Sequence, residues 1–184
     1  MLSEDRARYE LLALRCQACE AGAYEDLVAV MEQPLLYYAI SLTGNKDDGL
    51  DVLQETWIRA LRKIGSLKDP GALRAWLYSI VHGIAVDRMR RSMVRERAEQ
   101  AQAESFDEAD EPDFLGEDAA AIHAALEEIA VKHREVLVLY FLEDLSTTEI
   151  AAVVGCSEGT VRSRIFYAKR AMREVLRRGG YGDK

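Results

Sequence analysis

The sequence predicts an all-α protein of two small helical domains joined by an acidic linker. Three observations predict it. Apolar residues recur at helical spacing through both halves of the chain. Gly (12) and Pro (3) are scarce and β-branched runs are short, which disfavours many-turned β architectures and low-complexity chains. The net charge of −8 is unevenly spread. Residues 1–95 carry 13 basic and 13 acidic groups, residues 119–184 carry ten and nine, and residues 96–118 carry one and ten. That middle stretch has few apolar anchors and a Pro, too little to offset its ordering entropy, so a flexible tether is expected there. The expected domains are 1–95 and 119–180, with the linker at 96–118.

In the first half, Tyr9, Leu11, Leu12 and Leu14 open a helix that Gly22 breaks. A second runs from about Tyr24 to Leu42 on Leu27, Val30, Met31, Leu35, Tyr38 and Leu42, with Pro34 as a potential kink. Thr43-Gly44-Asn45 stops it. A third starts near Asp47 or Asp48, either of which could cap it, with an apolar stripe of Leu50, Leu53, Trp57, Leu61 and Ile64. After a loop at Gly65–Gly71, Pro70 suits the first turn of a helix reaching about Arg97, with Leu73, Leu77, Ile80, Val81 and Ile84 inward.

In the second half, helices are expected at about Asp118–Ala130 and Lys132–Leu142. Ser146-Thr-Thr-Glu149 is a capping box that opens a short helix. Gly155 supplies a left-handed turn residue, and Ser157 caps a longer helix with Val161, Ile165, Ala168 and Met172 inward. This is the helix-turn-helix pattern. From Ser157 to Arg178 there are seven basic and two acidic residues. The wheel puts Gly159, Ser163, Phe166 and Arg170 opposite the inward stripe, flanked by Thr160, Arg162 and Tyr167. Arg can fork onto guanine edges, Ser can reach phosphate or base, and an aromatic can meet a thymine methyl. The alternative is a solvated basic helix with one stray Phe.

Two further faces are candidates. Trp76, Gly83 and Arg90 are seven apart on one helix flank, followed by Arg91, Arg95 and Arg97, with Arg88 nearby. Such a flank could stack a base and track a backbone, and it could equally be a half-buried aromatic with arginines on a helix dipole. Asp51, Gln54, Glu55, Arg59, Arg62 and Lys63 form a mixed polar face, wrong for DNA and suited to a protein partner or plain solvation.

No catalytic constellation is evident. His82, His123 and His133 are scattered, and His123 with Glu127 lacks a third ligand. There is no phosphate-cradling Gly-rich loop or nucleophile elbow. No cofactor, metal or catalytic residue is expected. Cys16 and Cys19 read as buried or half-buried thiols, with a redox or metal role as the alternative, and no disulfide framework is implied. No run of apolar residues is long enough to span a membrane, and the N-terminus lacks a basic-then-apolar leader, so a cytoplasmic protein is expected.

Asp48-Gly-Leu-Asp-Val-Leu-Gln-Glu-Thr-Trp57, Leu73-Arg-Ala-Trp-Leu-Tyr-Ser-Ile80 with Asp87-Arg-Met-Arg-Arg91, and the stretch from Arg134 through Leu145-Ser-Thr-Thr-Glu-Ile-Ala to Gly159-Thr-Val-Arg-Ser-Arg-Ile-Phe166 carry a resemblance. Together they resemble bacterial sigma factors of the extracytoplasmic-function type, the minimal class with sigma regions 2 and 4 only. The resemblance implies a transcription initiation factor that binds core RNA polymerase at its clamp and flap and delivers it to a two-part promoter. Asp51, Gln54, Glu55 and Arg59 would face the clamp. Trp76, Gly83, Arg88, Arg90 and Arg91 would serve the minus-ten element, with Gly65–Gly71 helping to hold a flipped base. Gly159, Thr160, Arg162, Ser163, Phe166, Tyr167 and Arg170 would serve the minus-thirty-five element. An anti-sigma factor is an implied partner, and a monomer is expected when free.

Five residues, at four places, depart from the family pattern. Gly83 stands where an Asn that contacts the flipped base is frequent. His82 replaces a common basic residue, Ile129-Ala130 the usual Leu-Pro, and Tyr140 a frequent Arg. Promoter sequence therefore cannot be copied from relatives. Two rivals follow: a sigma-like decoy that never engages DNA productively, and a dimeric helix-turn-helix repressor on a palindrome.

Overall fold

The structure, a computed structural model, describes residues 2–99 and 117–179, with side chains placed for 6–91 and 122–179. Among these residues there are helices and no strand. The expected linker falls largely on 100–116, outside the described residues. The helices before and after it run to Glu99 and from Glu117, so both extend into the 96–118 stretch.

The first half is α1 (Leu2–Gln17), α2 (Ala23–Thr43), α3 (Lys46–Lys63) and α4 (Leu73–Glu99), with short 3-10 turns at Ile64–Ser66 and Pro70–Ala72. Its core is Leu12, Leu27, Met31, Leu35, Tyr38, Val52, Leu77, Tyr78, Val81 and Ile84. α2 runs on through Pro34 without a break. The cap of α3 is Asn45, two residues before Asp47 and three before Asp48, the expected caps. Its side chain accepts from the Asp48 N–H at 2.8 Å. Asp69 caps the Pro70 turn, with Pro70 at its first position.

The inward stripe of α3 keeps Leu53, Trp57 and Ile64 of the expected one but not Leu50 and Leu61. Val52, Leu53, Thr56 and Ala60 are buried, whereas Leu50 is 43% exposed and Leu61 60%. The cause is Gly49. A Cβ built there would lie 2.5 Å from the Ile40 side chain and 3.2 Å from the Ile40 N. α3 presses its small-residue side onto α2, and this rotates the larger apolar residues outward.

The second half is α5 (Glu117–Glu127), α6 (Val131–Leu137), α7 (Thr147–Val154) and α8 (Glu158–Arg178). A π turn at Val138–Leu142 follows α6, where one continuous helix was expected. Val136, Leu137, Val138, Leu139, Ile150, Val153, Val161, Ile165 and Ala168 form this half's core.

The two halves pack together, α4 against α7 and α2 against α6. The contact is strongly polar for an interior. Glu143 is 8% exposed and receives the Tyr78 hydroxyl hydrogen bond. The Arg74 guanidinium donates to its backbone carbonyl and lies 3.5 Å from its carboxylate. Glu135, also buried, stands 3.4 Å from His82 Nε2 and 2.9 Å from Arg164. Arg134 donates to the Ser41 carbonyl at 3.1 Å, and the Tyr37 hydroxyl lies 2.8 Å from His123 Nδ1. Burial pushes the Glu143 carboxyl above its usual range, against the opposing pull of Tyr78 and Arg74.

Candidate nucleic-acid interface

The candidate face on the C-terminal half is built by two caps and one turn. Ser146 Oγ accepts from the Glu149 N–H at 3.2 Å, and the Glu149 carboxylate accepts from the Ser146 N–H at 2.9 Å. This reciprocal pair fixes the start of α7. Gly155 ends α7 with φ of 67°, a conformation that costs a residue with a Cβ. Ser157 then caps α8 by accepting from the Thr160 N–H at 3.2 Å. Thr148 Oγ1 donates to Glu158 at 2.7 Å and ties the two helices across the turn.

With its buried side fixed by Val161, Ile165, Ala168 and Val175, α8 has one rotation available. Gly159, Thr160, Arg162, Ser163, Phe166, Tyr167 and Arg170 are all exposed. Phe166 is 64% exposed, and it meets Tyr167 edge-on at 5.4 Å. Arg162 pairs with Glu158 at 3.0 Å, an exposed contact that water or a ligand can replace at little cost. Arg164, in the same basic run, is turned away and held by Glu135.

The other predicted residues divide. Trp76 and Gly83 are half-buried on the flank of α4 turned away from Arg74, Tyr78 and His82. Space is open where a Gly83 side chain would project. Arg90 and Arg91 are exposed. Arg88 is not with them. It reaches α3, 3.1 Å from Asp48 and 2.8 Å from Asp51. Asp51, Gln54 and Arg59 are exposed on α3 and Glu55 is half-buried, with Glu55 and Arg59 paired. Leu50, Ile58 and Leu61 are exposed beside them.

Cys16 is buried and donates to the Ala23 carbonyl at 3.3 Å, and burial pushes its thiol up. Cys19 is exposed. Among the described residues no three His, Cys, Asp or Glu side chains group as a metal site. No described helix is long and apolar enough to cross a membrane.

One surface escaped the sequence reading. An apolar groove of about 620 Å³ on the second half is lined by Ile122, Leu137, Phe141, Leu142, Met172 and Leu176, with Lys169 and Arg173 at its rim. Lys169 lies over the Phe141 ring at 4.8 Å. The available signal was the unbroken apolar run Val136–Leu142, more than one helix face can bury.

Comparison with known proteins agrees with this layout. Residues 13–94 match the Sigma-70 region 2 family and residues 119–172 the Sigma-70, region 4 family. The chain is 33% identical over 168 residues to the ECF RNA polymerase sigma factor SigL of Mycobacterium tuberculosis, covering 89% of this chain and 94% of that one. It is 29% identical over 145 residues to the RNA polymerase sigma factor SigV of Bacillus subtilis, covering 79% and 86%. Among solved structures it resembles CnrH in complex with the cytosolic domain of CnrY, with a TM-score of 0.64 and 26% identity over 91% of this chain and 96% of that one. The fold also matches the sigma factor RpoE of Bartonella quintana, solved with the anti-sigma factor NepR (TM-score 0.75, 24% identity, 85% and 98% covered). Two helical halves that match regions 2 and 4 in order, with a helix-turn-helix in the second, place this chain among the extracytoplasmic-function sigma factors of the sigma-70 family, which are transcription initiation factors.

Proposed function

We propose that residues 1–95 bind core polymerase and the minus-ten element while residues 119–180 read the minus-thirty-five element. The observation that carries this is the exposed row on α8. Phe166 stands 64% exposed on a helix whose opposite side is fully committed to the core. Arg162, Ser163 and Tyr167 stand exposed beside it, side chains of the kinds that contact base edges, with Gly159, Thr160 and Arg170 along the row. Trp76, Gly83, Arg90 and Arg91 supply the α4 flank for an opened strand. The outward face of α3 meets the clamp through Asp51, Gln54, Glu55 and Arg59, with Leu50, Ile58 and Leu61 adding apolar area. The groove at Phe141 and Leu142 suits the flap.

The chain catalyses nothing itself and acts in the cytoplasm, where polymerase and DNA are. An anti-sigma factor holds it inactive, a reading supported by CnrH having been solved with CnrY. Mixing the protein with core polymerase and a promoter library, then sequencing the transcripts, tests the proposal. The expected result is start sites that share a two-part element. No promoter-dependent transcript would favour a decoy, and binding without polymerase to a palindrome would favour a repressor.

A further inference from the structure

Sequence position puts Arg88 with the arginines that follow Trp76, and Asp51 with the residues that face polymerase. The structure joins the two. One guanidinium nitrogen of Arg88 lies 2.8 Å from Asp51 Oδ2 and 3.1 Å from Asp48 Oδ1. We infer that Arg88 is a positioning residue of the polymerase face, acting through Asp48 and Asp51, and not a promoter contact. The inference rests on the assignment of α3 to polymerase.

Three observations carry it. First, Asp48 is itself held: Asn45 Nδ2 donates to Asp48 Oδ2 at 2.8 Å, while Asn45 Oδ1 caps the helix at the Asp48 N–H. Arg88 therefore closes a chain Asn45–Asp48–Arg88–Asp51 across the top of α3. Second, Asp48 and Asp51 are three apart on one helix face, where two carboxylates repel. A guanidinium between them cancels that repulsion and fixes both side chains. Third, a charge-assisted bond to each of two carboxylates leaves Arg88 with less to gain from a phosphate than Arg90 or Arg91, which are exposed. Preorganised Asp51 meets its partner without first losing rotamer freedom.

The test uses the full chain and core polymerase. Affinity for core polymerase is measured for wild type, Arg88→Ala, Arg88→Lys, Asp51→Ala and the Asp51→Ala, Arg88→Ala double variant. The salt dependence of promoter binding by each holoenzyme is measured on a promoter recovered from the transcription library. Arg88→Ala is expected to weaken polymerase binding about two- to fivefold, the scale of exposed ion pairs. It should cost less in the Asp51→Ala background, where Asp48 alone remains as its partner. Arg88→Lys should recover part of the loss, because the charge stays but the fork does not. The salt slope should not move. Unchanged polymerase affinity in Arg88→Ala, full additivity with Asp51→Ala, or a slope smaller by about one would each overturn the inference. If Asp51→Ala itself leaves polymerase affinity intact, it is the assignment of α3 that fails, and the inference falls with it.

Discussion

The Glu143 carboxylate, in the second half of the chain, accepts a hydrogen bond from the Tyr78 hydroxyl in the first. Both side chains are buried, and Arg74 adds a second donor from the first half. A carboxylate inside a protein interior is costly unless it is paired. Each half therefore supplies what satisfies the other. The contact gives specificity more than strength, because water would solvate all three groups well once the halves part. The minus-ten and minus-thirty-five elements lie about 25 base pairs apart, about 85 Å along B-form DNA. If α4 serves the minus-ten element and α8, which packs on α7, serves the minus-thirty-five element, as proposed, the contact between α4 and α7 has to open for both to be reached at once.

The sign of the pH dependence follows from Glu143. Burial raises its carboxyl in the folded protein above the ordinary 4.5. Between those two values the folded state binds more protons than the unfolded one, so stability falls as pH rises through that window. Below 4.5 the penalty is absent, and above the raised value it is constant. Unfolding measured against pH should show wild type losing stability relative to Glu143→Gln as pH rises from about 4.5. Parallel curves for the two proteins would mean that Glu143 is already fully charged and fully satisfied.

Gly83 is a glycine in the interior of α4, and a Cβ there would meet nothing within 4 Å. Gly83→Ala is expected to stabilise the protein by about 0.5–1 kcal/mol, the helix-propensity difference. Gly83→Asn should also fold, and should change which minus-ten bases are preferred in a transcription library. A lower melting temperature in Gly83→Ala would show that the close approach of another group explains the glycine.

The helices, their order and the outward row on α8 were legible in the sequence because local rules decide them. Spacing, the Ser146–Glu149 box and the Ser157 cap act within a few residues. What was illegible depended on a partner far along the chain. Leu50 and Leu61 follow a good amphipathic spacing, yet they face outward because Gly49 lets Ile40 in close. Arg88 sits among DNA-suited arginines, yet two aspartates some forty residues earlier hold it. Nothing in the local sequence marks Glu135 and Glu143 as interior acids, and the residues that meet them, His82 and Arg164 for the one, Tyr78 and Arg74 for the other, lie about thirty to seventy residues away.

Tyr38 is fully buried against Tyr78, with ring centroids 5.4 Å apart and nearly perpendicular. Its hydroxyl has no hydrogen-bond partner among the described residues. An unsatisfied buried hydroxyl costs about 1–3 kcal/mol. Tyr38→Phe keeps the ring contact and removes that cost, so it should raise stability to denaturant by about 1 kcal/mol at constant m-value. A destabilised Tyr38→Phe would reveal a partner for the hydroxyl.

Arg162 and Phe166 lie one helical turn apart on the exposed side of α8 and should fail differently. An Arg forked onto a guanine contributes about 1–3 kcal/mol of discrimination, so Arg162→Ala should weaken binding to the minus-thirty-five element and relax the preference at one base pair. Its salt slope should change little, because the lost contact is to a base edge. Phe166→Ala removes apolar contact only. It should weaken binding at positions bearing a thymine methyl and leave others unaffected. Neither side chain is packed in the core, so both variants should melt with wild type. Binding measured on a set of single-base element variants separates these outcomes. A uniform loss across every variant, accompanied by a shallower salt dependence, would instead place Arg162 on the phosphate backbone.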